Sequence, residues 1–357
     1  MVKKVGHVVV ILNVVISCFA VALTITPLSR SQYTPHDPIY IVGDEDFAVQ
    51  AAEEGWPGDG SEGNPYIIEG YEISAAKANG IEIKSTTVYF IIKGTLIKGG
   101  KYRYHGIDLD VVINGTVKNC TFEMNNYGIY IYYSNDNEIV ENTFNSNYNQ
   151  DIRLGYSSRN TLTGNRFVEN GISISGNSLE HWNTHDIDTS NKINDKLVYY
   201  WKNQTGGTVP LDAGQIILAN CTDVLIENQE LTNTSIGIQL GYSSSITIKN
   251  NNVTSNNRFG IYLYESDNNT IIDNNASNNG FGIFLEQGSS RNHIMNNNFS
   301  NNSIGVDIKK SNDNHITNNL ALNVWSGISI FDSYYNVITD NIISTDRYEM
   351  RRYYMRG

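Results

Sequence analysis

The feature that most constrains this chain is a repeat of 22 or 23 residues carried by two separate markers. The first is a glycine opening an alternating apolar segment: Gly106, Gly128, Gly171, Gly237, Gly260, Gly282, Gly305 and Gly327. From Gly237 onward the steps are 23, 22, 23 and 22 residues, and GIYLY, GIFLE, GVDIK and GISIF alternate with the period of a strand. Ile261 and Leu263 then point inward, and Tyr262 and Tyr264 outward. The second marker is an asparagine three residues after an apolar position, at Asn142, Asn165, Asn228, Asn251, Asn274, Asn297, Asn319 and Asn341, with Asn119 as an imperfect first member. A unit this short cannot bury its own apolar face and must stack on its neighbours. The leucine spacing of a horseshoe and the four-strand period of a propeller are both missing. The expectation is an all-β, right-handed parallel β-helix of roughly a dozen rungs, a rod of about 55–60 Å at ~4.8 Å per rung. Stacking turns the asparagine column into a ladder of amide hydrogen bonds, and Asn also tolerates the left-handed backbone of tight turns.

The flanks frame this coil. Lys3 and Lys4 precede a nearly uncharged run over residues 5–28, so residues 1–30 read as a signal peptide or an N-terminal membrane anchor. Either reading puts the body outside the cytoplasm. The VISC sequence ending at Cys18 departs from a lipoprotein box, because the apolar run continues past it. Residues 31–75 are expected to form a cap and first rung, with a short helix over 44–55, and residues 76–345 the coil. The repeat lapses between 178 and 211, which reads as a rung bearing a hairpin-like insertion; the basic segment 346–357 is a cap or tail.

Composition narrows the function. With 37 acidic and 25 basic residues the net charge is -12, which opposes nucleic acid as a partner, and 40% hydrophobic content excludes a disordered chain. Beyond the leader only Cys120 and Cys221 remain. At about four rungs, or ~19 Å, they are too far apart for a disulfide. Sequons at Asn203, Asn220, Asn233, Asn252, Asn275 and Asn298 suit an exported chain, though an Asn-rich repeat also produces them by chance.

PIYIVGDEDF and GWPGDGSEGNPYIIEGYEI before the coil, NDKLVYYWKNQTGG with DAGQIILANCTDVLIENQEL in its middle, and the N-x-I-x-x-N rungs resemble the NosD-type β-helix proteins of archaeal and bacterial envelopes. That group lies within the wider class of carbohydrate-binding and sugar-hydrolase β-helices. The likeness spans nearly all of the chain after the leader. It implies an exported protein concerned with copper or with sugars, and it carries over no catalytic motif.

Three chemistries can be sought on the coil. Outward columns carrying Asp108, Tyr130, Ser173, Gln239, Tyr262, Phe284, Asp307 and Ser329, flanked by Tyr132, Tyr264, Glu286, Lys309 and Phe331, suit a carbohydrate or surface polymer. Sugar C–H faces pack on rings while hydroxyls need polar partners. The same ladders also stabilise a bare sheet. Tyr130, Tyr132, Tyr262, Tyr264 and Phe284 are the ring candidates. For copper, His293 and His315 share one repeat position with Met295 two residues on, a two-His, one-Met set of suitable softness. His181 and His185, with Asp186 and Asp188, form a second cluster. A polysaccharide lyase, hydrolase or epimerase needs placed acids and bases. Asp108 and Asp110 near Arg103 and His105 are the best group, whereas the His36, Asp37, Pro38 triplet precedes the coil.

Overall fold

The computed structural model describes residues 33–353, with side chains to residue 345; the leader lies outside the described residues. Each full rung of the first half contributes three short strands, such as Tyr127–Tyr132, Glu138–Val140 and Thr143–Asn145. Each strand pairs in parallel with its counterparts one rung away. Tyr130 lies between Asp108 and Arg153, Ile139 between Val117 and Leu162, and Phe144 between Phe122 and Phe167. The inward residues of these columns are fully buried, each contributing about 1.5–3 kcal/mol of apolar burial. The three phenylalanine rings stack at centroid distances of 4.9 and 5.2 Å.

Both sequence markers have local physical causes. A Cβ on Gly260 would lie 2.7 Å from the Gly282 carbonyl oxygen, and one on Gly282 would lie 2.6 Å from that of Gly305. The next rung's backbone leaves no room for a side chain. In the asparagine column, the Asn251, Asn274, Asn297 and Asn319 backbone N–H groups donate to the Oδ1 of Asn274, Asn297, Asn319 and Asn341 at 2.9–3.0 Å. The left-handed backbone belongs to the residue before each ladder member, at Asn250, Asp273, Asn296 and Asn318. This corrects two assignments. Asn119 and Asn228 occupy that left-handed turn position and are exposed; the ladder sites beside them hold Cys120 and Gln229, whose N–H groups donate to Asn142 and Asn251. Asn191, inside the segment where the repeat lapses, extends the first ladder from Asn165.

The helix Gly43–Glu54 closes the N-terminal end as expected. It buries Phe47 and Ala51, stacks Phe47 on Tyr66 at 5.0 Å, and places the Asp44 carboxylate on Thr86 and Thr87. Gly55 ends it in a left-handed conformation.

The segment expected to hold a hairpin does hold one, and it joins two coils. Strand Lys192–Ile193 continues the first coil's sheet and then turns through Asn194 and Asp195, both left-handed, into the antiparallel strand Lys196–Lys202. From there, strands Ala213–Ala219, Ile236–Gly241, Phe259–Tyr264, Phe281–Glu286, Ile304–Lys309 and Leu320–Phe331 pair in parallel with one another. The outer face of this second sheet meets the end of the first coil. Gln215 bridges both backbone groups of Ile172, and Gln239 those of Ile174, satisfying the free edge of strand Ile172–Ser175. Ile217, Ala219, Phe259, Tyr262 and Phe284 accordingly belong to the first coil's apolar cluster, although they point away from their own coil. Trp182 wedges into the joint so closely that Gly241 has no room for a Cβ. Cys120 and Cys221 are free, buried, and in separate clusters.

Candidate functional site

Where the two coils meet, their outer faces leave a cleft of about 280 Å³. One wall is the first coil, with Gln150, Arg153, Tyr156, Ser173 and Ser175; the other is the second, with Arg258, Phe259, Tyr262, Tyr264, Phe284 and Glu286. The second wall is aromatic because its strands stack in register. Tyr262 lies 5.5 Å from Phe284 at an interplanar angle of 12°, and Phe259 lies 5.1 and 5.0 Å from these two rings. Tyr264 stacks on Trp182 at 5.3 Å. Tyr262 and Phe284 are only 7% and 6% exposed, so they form the floor of a cleft and not an open stripe. The Tyr262 hydroxyl donates to Glu286 at 3.0 Å, and burial together with that carboxylate raises its pKa well above that of free tyrosine.

The facing wall is polar and incompletely satisfied. Ser173 donates to Gln150 Oε1 at 2.7 Å, while Gln150 Nε2 is buried with no partner. Arg153 donates through Nη1 to the Tyr127 hydroxyl at 3.1 Å and sits over the Tyr127 and Tyr130 rings, yet its Nε is buried without a partner. Ser175 Oγ and His181 Nδ1 are also unpartnered. Buried polar atoms left this way carry a desolvation penalty that a polar ligand or water relieves.

Arg153 went unnoticed in the sequence because its rung lacks the marker glycine. Asp151 stands there, hidden in the 43-residue gap between Gly128 and Gly171. Asp151 accepts from Asn147 and from the Gly171 N–H, but burial outweighs these bonds and pushes its pKa up to about 8. Arg258 lies in a turn of no fixed pattern. Tyr130 and Tyr132 continue the first coil's outer face beyond Arg153, with their rings 5.5 Å apart.

Farther along that face, the acid–base group is partly assembled. His105 packs against Tyr127 and Tyr130 at 4.8 and 5.4 Å, and Asn79 Nδ2 donates to both Glu82 and Asp108. Burial, then the Glu82 charge, raises the Asp108 pKa to about 7; burial lowers that of His105 to about 4. Arg103 is directed elsewhere, lining a separate hollow with Lys77, Lys101 and Tyr104.

The metal candidates divide. His293 and His315 pair in register with rings 5.1 Å apart, and Met295 is on the same strand opposite Thr317. The His181 and His185 cluster does not form. His185 is buried, accepts the Asn160 N–H through Nδ1 and bonds the His181 carbonyl, while Asp186 and Asp188 face solvent. Among the described residues no group of three or more His, Cys, Asp or Glu side chains could hold a metal ion. Tyr199 and Tyr200 pack in the joint.

The family described as "right handed beta helix region" matches residues 59–209 and 213–348. Among solved structures, the chain is similar to the Streptococcus pneumoniae surface protein and adhesin PfbA, at 12% identity over 80% of this chain and 91% of that one, with a TM-score of 0.33. It is also similar to alginate lyase AlyF-OU02, at 13% over 92% and 90% with a TM-score of 0.34. The Azotobacter vinelandii mannuronan C-5 epimerase AlgE4 A-module matches at 12% over 87% and 99%, with a TM-score of 0.28. No curated protein is a significant match. Scores of this size carry no inference about what the chain binds.

Proposed function

We propose, from the premise that the chain belongs to the right-handed β-helix family, that it is an exported, non-catalytic protein holding a carbohydrate or surface polymer in the cleft between its coils. The observation supporting this is the facing of three stacked rings, Phe259, Tyr262 and Phe284, by the unpartnered donors Gln150 Nε2 and Arg153 Nε. A sugar offers both surfaces at once, an apolar C–H face and a rim of acceptors. At about 280 Å³ the cleft is near the small end of ligand sites, so it would hold a short stretch of a polymer. The test is titration calorimetry against a panel of polysaccharides. Tyr262→Leu and Phe284→Leu keep apolar volume but remove the ring face, and each should weaken binding about two- to tenfold. Absence of binding to every polysaccharide, or full affinity in both variants, would refute the proposal.

A second reading, a polysaccharide-modifying enzyme, is favoured by one feature. Near neutral pH, Asp108 retains much of its proton while His105, packed on Tyr127 and Tyr130 of the same coil, is neutral, and a carboxyl and an imidazole in these states suit proton transfer. The NosD-type reading as a copper accessory protein draws its support from the registered His293 and His315 pair.

A further inference from the structure

The arginines on the outer turns are neutralised where they stand: Arg159 by Asp136 and Glu180, Arg166 by Asp195, and Arg291 by Asp267. Arg153 and Arg258 differ. They come from different coils, line the same cleft, and have no ion pair among the described residues. Burial, then the Arg153 charge, lowers the Arg258 pKa, and the Glu286 charge offsets this only in part. Two like charges held together in a partly desolvated cleft are unfavourable until an anion lies between them. The carboxylate in the cleft, Glu286, is engaged by the Tyr262 hydroxyl. Arg153 also keeps a buried Nε donor unused, with the Gln150 amide donor in the same state beside it. A guanidinium fork matches the paired oxygens of a carboxylate or sulfate, whereas a neutral hydroxyl supplies one.

We infer that the cleft selects an acidic saccharide, placing a carboxylate or sulfate substituent between Arg153 and Arg258 while the sugar ring rests on Tyr262 and Phe284. This deepens the carbohydrate reading and rests on it. The chain as a whole carries a net charge of -12, so recognition has to come from this local pair and not from a general field. The two coils must both be present, since each supplies one guanidinium.

The experiment measures affinities of the full mature chain for a panel of neutral, uronate-bearing and sulfated polysaccharides, with Arg153→Gln, Arg258→Gln, their double variant, and Tyr262→Leu. Circular dichroism checks the fold of each, and Arg153→Lys with Arg258→Lys tests charge without the fork. The expected result is at least tenfold tighter binding of an acidic polymer than of any neutral one. The double Gln variant should lose about 10- to 100-fold in affinity for that polymer while neutral binding stays constant. Comparing the uronate and sulfate arms identifies which anion is taken. Equal affinity for acidic and neutral polymers, or a preference surviving the double substitution, overturns the inference; in that event Tyr262→Leu still reports on the carbohydrate reading. If no polysaccharide binds at all, both fall together.

Discussion

Replacing Asn274 with Leu tests what holds the rungs in register. Asn274 is 2% exposed. Its Oδ1 accepts from the Asn251 N–H at 3.0 Å and from Asn251 Nδ2 at 2.9 Å. Its Nδ2 donates to the carbonyls of Ile248 and Ile272 and to Asn297 Oδ1, at 2.9, 3.0 and 3.0 Å. Leucine has the same number of side-chain heavy atoms in a bulkier branch, so the change removes the polar contacts and opens no cavity, while any crowding adds to the cost. The buried Asn251 N–H is left with no acceptor, costing about 1–3 kcal/mol, and the lost donor bonds add about 1 kcal/mol more. The expected destabilisation is therefore about 2–4 kcal/mol, read as a lower urea midpoint at unchanged m by far-ultraviolet circular dichroism. A companion change, Asn228→Gly, should shift stability by only a few tenths of a kcal/mol, because Asn228 is exposed and sits in the left-handed turn position that glycine adopts freely. A loss below about 0.5 kcal/mol for Asn274→Leu, or an equal loss for both changes, would refute the ladder as a source of stability.

The stability that Asp151 contributes should fall as pH rises from about 4 toward 8, against an opposite contribution below about pH 6.5 from His105 and His185, whose pKa values burial lowers to about 4. The folded-state pKa of Asp151 is raised to about 8 against an unfolded value near 3.9, so in that window unfolding releases a proton. Its contribution is full below the unfolded pKa and lost through the folded one, and Asp151→Asn should flatten the slope of a denaturation series across pH. Gly260→Ala should cost about 1–3 kcal/mol in thermal unfolding, since its Cβ would meet the Gly282 carbonyl oxygen at 2.7 Å; a neutral result contradicts the close approach of rungs. If the His293 and His315 pair takes copper, binding should approach 1:1 and vanish in the His293→Ala, His315→Ala double variant with its spectrum intact. Unchanged copper binding in that variant would move the site elsewhere.

Much of the coil was legible because a one-rung period puts the same constraint on the same position each time. Close backbone approach demands glycine at 260, 282 and 305, and buried amides demand asparagine at 274, 297 and 319. Asn119 and Asn228 misled because asparagine suits both the ladder and the left-handed residue beside it, so identity alone cannot fix position within the turn. The joint left only a local trace, the Asn194–Asp195 turn. Nothing in a strand pattern tells that the chain reverses and lays one coil's outer face on another's end. For that reason Tyr262 and Phe284 could be assigned to one outward column, but not to a covered cleft. Arg153 was hidden by the Asp151 substitution at the marker, and Arg258 became visible only when the cleft brought it opposite.

The most direct test of the account is a crystal structure of the protein with the tightest-binding oligosaccharide from the panel. Sugar density is expected in the cleft, with a ring face on Tyr262 and Phe284 and polar groups within hydrogen-bonding distance of Gln150 Nε2 and Arg153 Nε. Density confined to other faces of the coils, with the cleft empty of sugar, would contradict it.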